Sequence, residues 1–146
     1  MAIPAISAAR AICEAADWSI SNLALQKILY IAHMVYYGRT RQPLIKETFE
    51  AWDYGPVVPS VYHRAKAFGS DPVGNVFHGA RPIEDPVANQ VIQQTVRVLK
   101  GRHPGDLVEM THWAGGAWSK HYPKGRNQII PHEDILEEYV SRVGSS

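Results

Sequence analysis

"SNLALQKILYIAHMVYYG", residues 21–38, is the stretch on which the fold turns. Ser21 carries a side-chain oxygen that can accept from the free N–H groups of a helix start, and Gly38 is a natural helix stop. Between them Leu25, Ile28, Leu29, Ala32, Val35 and Tyr36 recur at three- and four-residue spacing and form one broad apolar stripe. A stripe that wide predicts a central helix covered by several others. His33 lies on or beside it and reads as a core histidine with its hydrogen bonds satisfied.

Upstream, Ile6, Ala9, Cys13 and Ala16 share one face of a helix that starts near Pro4 and ends before Asp17, with Cys13 as a small core residue. Downstream, Thr48, Phe49, Trp52 and Tyr54 favour extended backbone, and Gly55-Pro56 forces a corner. Pro59 then opens a short helix that Gly69 closes. Residues 70–85 are too rich in Gly, Pro, Asn and Asp for a regular element. Asp85-Pro86 reads as a cap and first helical residue, with Val87, Val91, Thr95, Val98 and Leu99 on the apolar side up to Gly101. A shorter helix should place Leu107, Val108 and Thr111 on one side. Gly115-Gly116 reads as cap and hinge before a turn or short helix through "AWSKHY". A final helix from Pro131 should turn Ile135, Leu136, Tyr139 and Val143 inward, with acids in its first turn. Ile129 and Ile130 are placed to pair with the extended segment near Trp52 as a two-stranded patch. The expectation is a mainly all-α protein: one compact bundle of six or seven helices with a small β patch.

The chain has 146 residues, which suits one domain over residues 1–146 and allows burial of roughly 70% of the unfolded surface. Apolar content of 45% and charged content of 20% describe an ordinary globular protein. The formal charge is +1 with Lys and Arg scattered, which argues against nucleic acid as the main partner. Cys13 is the sole cysteine, so no intramolecular disulfide can form. The N-terminal residues lack a signal peptide's basic region and apolar core, no run reaches the ~20 apolar residues of a membrane span, and the closing Gly144-Ser145-Ser146 reads as a frayed end. A cytoplasmic protein with no membrane association is expected.

No motif with catalytic mechanics stands out. The seven histidines include no pair one helical turn apart, although a fold could still gather His112, His121 and His132 around a metal. Ser60 and His63 lie near each other, but a nucleophile's base needs a third group to orient it. The glycines do not form a phosphate-cradling loop. No metal, no cofactor and no enzyme activity are expected. What remains is aromatic: Trp52, Tyr54 and Tyr62 flank Gly55-Pro56, while Trp113 and Trp118 bracket "AGGA" after Thr111-His112. Trp and Tyr combine a large apolar area with a polar edge, and so serve both cores and protein interfaces.

Residues 23–32, "LALQKILYIA", and residues 49–59, "FEAWDYGPVVP", resemble the Panacea antitoxin domain family, also called SocA-like or GepA-like phage-associated proteins. Its helix reads L-x-L-Q-K-L-L-Y-x-A and its second block F-E-A-W-x-Y-G-P-V-x-P. The family's later T-H-x(n)-P-W region is matched by Thr111, His112 and Trp118, with Ala117 where the family has proline. The likeness extends over about residues 7–143. It implies an antitoxin of a bacterial or phage toxin–antitoxin system that neutralises a cognate protein toxin by direct binding, with delivery to a proteolytic machine as an added route. It carries over no catalytic or metal residue. Trp52, Tyr54, Gly55, Pro56, Tyr62, Thr111, His112, Trp113 and Trp118 are then the candidates for toxin contact or for the scaffold beneath it. Toxin specificity is expected in residues 73–84 and 113–124. A homo-oligomer is compatible with this reading. The alternatives are a DNA-binding autoregulator of its own operon, using Arg64 and Lys66, and a small hydrolase using His112 or His63.

Overall fold

The stretch that opens the sequence reading forms the axis of the molecule. In the computed structural model, which describes residues 2–125 and 127–144, helix α2 runs over Asn22–Thr40. Ser21 caps it as expected, accepting from the Ala24 N–H at 3.2 Å. Helices α1 (Ala5–Ala15), α4 (Pro86–Leu99), α5 (Pro104–Thr111) and α7 (His132–Gly144) pack around it. Burial extends nearly all round α2 and includes the polar side chains of Asn22, Gln26, Lys27 and His33. Gly38 is not the stop. The helix continues two residues further and ends where Arg41 adopts a left-handed φ of 61°. Gly38 instead lies at a helix crossing, where the Tyr139 ring of α7 fills the space a Cβ would need. Gly38→Val is therefore expected to destabilise by about 1–3 kcal/mol through overpacking, read as a lower urea midpoint at unchanged m-value.

The β patch has three strands where two were expected. Strand β1 (Phe49–Trp52) lies between β2 (Gly55–Val57) and β3 (Gln128–Ile130), all antiparallel. The anticipated pairing of Ile129 and Ile130 with the segment before Trp52 is present: Phe49 faces Ile130 and Glu50 faces Ile129. The additional strand comes from Gly55-Pro56, which does not make a simple corner. Asp53 and Tyr54 form a two-residue turn, Gly55 closes it with φ 113°, and the chain doubles back so that Trp52 faces Gly55. Pro56 can lie in β2 because β2 is an edge strand, where a missing N–H breaks no ladder.

Helix α3 (Pro59–Ala65) passes into a 3₁₀ turn over Lys66–Phe68 and ends at Gly69 with φ 58°. Residues 70–85 have no regular structure but are anchored: Val73 and Phe77 are buried, and the Val73 N–H donates to the Ile20 carbonyl at 2.9 Å. Asp85 caps α4, and its other oxygen accepts from the Tyr36 hydroxyl at 2.6 Å. Helix α6 (Ala117–His121), capped by Gly116, runs into a 3₁₀ turn over Tyr122–Lys124. Three apolar residues expected inside point outward: Val87, Val98 and Val143 are exposed. On α7 the buried residues are Ile135 and Glu138, the latter among hydrogen-bond partners. Cys13 is fully buried, and burial pushes its thiol up to about 12. His33 is satisfied, accepting from the Ile45 N–H at 3.3 Å through Nδ1 and lying 3.1 Å from His132 through Nε2. Burial first and His132 second pull its pKa down to about 3. The frayed end expected at residues 145–146 lies outside the described residues. Among the described residues no helix is long and apolar enough to cross a membrane.

Candidate functional site

The β1–β2 hairpin is gripped from two sides. On the α2 side, two consecutive polar residues take its backbone. The Lys27 ammonium donates to the Pro56 carbonyl at 2.6 Å, and the Gln26 carboxamide oxygen accepts from the Val58 N–H at 2.9 Å. Gln26 donates in turn to Asn22, whose own amide reaches the Tyr62 carbonyl, so strand and following helix hang from one chain of hydrogen bonds. Lys27 is 0% exposed, and among the described residues no carboxylate pairs with it. Burial alone pushes its pKa down to about 7.

On the opposite side the end of α5 and the residues after it hold the turn. Thr111, buried, stands against Gly55: a Cβ there would lie 2.6 Å from Thr111 Oγ1 and 3.1 Å from Lys27 Nζ, so only glycine fits. His112 stacks flat on Trp118, with ring centroids 3.6 Å apart, and Trp118 stacks on Tyr122 at 4.6 Å. The Trp118 indole N–H donates to the Trp52 carbonyl at 2.7 Å, and the Tyr122 hydroxyl donates to Asp53 at 2.8 Å. Burial, and then the nearby Lys27 charge, hold the His112 imidazole below its ordinary value, and its buried Nε2 has no partner among the described residues. Segments far apart in sequence, from α2, the hairpin and the Thr111–Trp118 region, thus meet at one structural unit.

The fixed hairpin forms one wall of a groove of about 600 Å³ against the start of α2. Half-buried Trp52 and Tyr62 form its aromatic floor, with ring centroids 4.9 Å apart at 60°. Tyr54, at the turn, is 69% exposed on its rim. Asn22, Gln26 and Asn127 add amide groups to the lining.

The nine candidates therefore divide by position. Trp52, Tyr54 and Tyr62 line the groove. Gly55, Pro56 and Thr111 are buried beneath it, and His112 and Trp118 buttress it from the side. Trp113 stands apart: the Arg142 guanidinium lies 5.1 Å above its ring, within the Glu138 cluster. Sequence reasoning missed Lys27 and the amide residues. Their signal was the adjacent Gln-Lys pair in the second turn of an otherwise apolar helix, where solvated side chains do not belong. The three histidines that could have converged do not. His121 binds Asp134 at 2.5 Å, His132 lies by His33, and His112 is stacked on Trp118. Among the described residues no group of three or more His, Cys, Asp or Glu side chains is placed to hold a metal ion. Ser60 and His63 are both exposed, and His63 packs edge-on to Tyr62.

A helical bundle with a clamped, aromatic-bearing hairpin is what the two motif blocks build, and the chain belongs to the family described as antitoxin SocA-like, Panacea domain, which matches residues 25–119. It is similar to Antitoxin SocA of Caulobacter vibrioides (strain NA1000 / CB15N), with 40% identity over 114 residues, covering 71% of this chain and 61% of that protein. The matched region thus spans less than two thirds of the length of this curated relative. No solved structure matches the chain.

Proposed function

We propose that this chain is the antitoxin of a bacterial or phage toxin–antitoxin pair and neutralises its toxin by holding it, as a protein, at the groove over the β1–β2 hairpin. The observation that carries this reading is the presentation of Trp52, Tyr62 and the 69% exposed Tyr54 on backbone fixed from both sides. Trp and Tyr are the residues on which protein interfaces most often depend, and a prearranged site loses less entropy when a partner docks. Membership of an antitoxin family and likeness to a named antitoxin support a toxin as the partner. Occlusion of the toxin's working surface and its delivery to a protease both begin from the same complex. Residues 73–84 and 113–124 are less typical stretches than the motif blocks and are the proposed source of preference for one toxin.

Co-expression with the product of the neighbouring gene tests the reading directly. Growth rescue together with co-purification of the two chains is the expected result. Tyr54→Ala should weaken the complex about tenfold or more, in line with loss of an exposed aromatic anchor. Its melting temperature should match the parent, because the removed ring packs little against the bundle. Rescue without any complex would remove the proposal.

A further inference from the structure

The outward face of the sheet continues beyond the groove. Phe49, Ala51 and Ile130 are fully buried, so Glu50 and Trp52 project to the other side. Glu50 faces Val57 on one neighbour and Ile129 on the other, which puts Ile129 on the same face as Trp52. Carrying the register one residue on sets Asn127 opposite Trp52, and Asn127 already lines the groove. The groove therefore runs directly onto β3.

The two edges of the sheet are treated differently. The β2 edge is sealed: Pro56 has no N–H, its carbonyl is taken by Lys27, and the next N–H, from Val58, is taken by Gln26. The β3 edge is not. In an antiparallel ladder alternate residues turn their N–H and C=O away from the partner strand. Among the described residues no hydrogen bond reaches the outer side of β3. Pro131 closes this edge at its far end, but Ile129, the outward-turned residue of Gln-Ile-Ile, is 59% exposed and is neither the Lys nor the Pro that usually blunts such an edge.

We propose that β3 is a strand-addition edge: an extended, uncharged segment of the toxin pairs with it and continues into the groove, setting a side chain against Trp52 and Tyr62. Unsatisfied edge amides and carbonyls select extended backbone, because only that geometry meets them in register. A second copy of this chain is the poorer occupant. Two three-residue strands paired alone bury far less than the ~1,000 Å² expected of a stable interface, whereas a segment running on into the groove adds its contacts there. This inference rests on the toxin-binding reading and adds to it the conformation of the bound segment.

The test uses the full chain with the toxin of the neighbouring gene. Amide hydrogen exchange at residues 128–130 should slow about tenfold or more in the complex. Ile129→Lys, a change at an exposed side chain, should keep the parent's melting temperature and lose about tenfold or more in affinity. Unchanged exchange at residues 128–130, with Ile129→Lys binding as the parent does while Tyr54→Ala is impaired, overturns the edge and leaves the groove standing. Absence of any complex overturns both. A free chain that sediments as a dimer, and becomes monomeric on Ile129→Lys, also overturns the proposal, because the edge then belongs to a second copy.

Discussion

Glu138→Ala is expected to lower the unfolding free energy by about 3–5 kcal/mol, the usual consequence of removing one partner from a buried charged cluster. The carboxylate is 1% exposed and completely committed. One oxygen accepts from the Tyr30 hydroxyl at 2.7 Å and from the Ala117 N–H at 3.0 Å. The other accepts from Arg142, through Nε at 2.9 Å and Nη2 at 2.5 Å. Arg142 also donates to the Met110 carbonyl, so the Glu138–Arg142 pair ties α2, α5, α6 and α7 together. Gly116 is part of the arrangement, because a Cβ there would lie 2.7 Å from the Glu138 oxygen. Alanine strands a phenol, an amide and a guanidinium at once. Glutamine keeps an oxygen for Tyr30 and Ala117 but turns its NH2 toward the Arg142 guanidinium, losing that pair as well as the charge, so Glu138→Gln should fall between the parent and Glu138→Ala. Chemical denaturation of the two variants checks the order. Equal and small losses, within about 1 kcal/mol of the parent, would mean that the cluster is not holding the four helices.

Stability should climb with pH between about 7 and 9, and Lys27→Met should abolish the climb. A lysine in the unfolded chain keeps its proton to about 10.5, whereas burial brings the folded value down to about 7. Between those limits the unfolded state binds more protons, and stability rises with pH. Below pH 7 both states are protonated, and the folded state bears the whole cost of a buried ammonium. Integrated from pH 7 to pH 9, the linkage relation gives a gain on the order of 2 kcal/mol. Cys13, whose thiol burial raises from 9.0 to about 12, opposes the trend above about pH 9, and Tyr30 adds to this above pH 10. Burial, and then the neighbouring Glu138, hold its phenol well above the ordinary value, so there the unfolded state loses protons that the folded state retains. Methionine occupies a similar volume without a titrating group, although it leaves the Pro56 carbonyl without its donor. Guanidinium melts at pH 7, 8 and 8.5 should show a rising midpoint for the parent and a flat one for Lys27→Met; parallel slopes would place the charge elsewhere.

Helices were legible in the sequence wherever a local signal marks them. Ser21, Asp85-Pro86, Pro59 and Gly69 each cap or close an element within a few residues of itself, so the chain announces those boundaries. Illegible features depend on partners remote in sequence. Lys27 and Glu138 look like solvated charges until the fold brings them to Pro56, 29 residues away, and to Tyr30, 108 residues away. Gly38 resembles a helix stop because nothing local reveals that Tyr139 will press against it. Gly55-Pro56 resembles a corner because the doubling back is decided by the Asp53-Tyr54 turn and by the grip of Lys27 on the proline carbonyl. The groove followed the same division. Its aromatics stood out in the sequence, but Asn22 and Asn127 join them only through the packing of α2 and the pairing of β3.

The lone thiol of Cys13 makes the molecule its own probe. Shut inside α1 and with its proton held to about 12, it cannot meet an alkylating reagent until that helix lifts from the bundle. The rate at which iodoacetamide consumes the folded protein is thus a label-free clock for helix opening, readable by mass in the free chain and again with a partner seated.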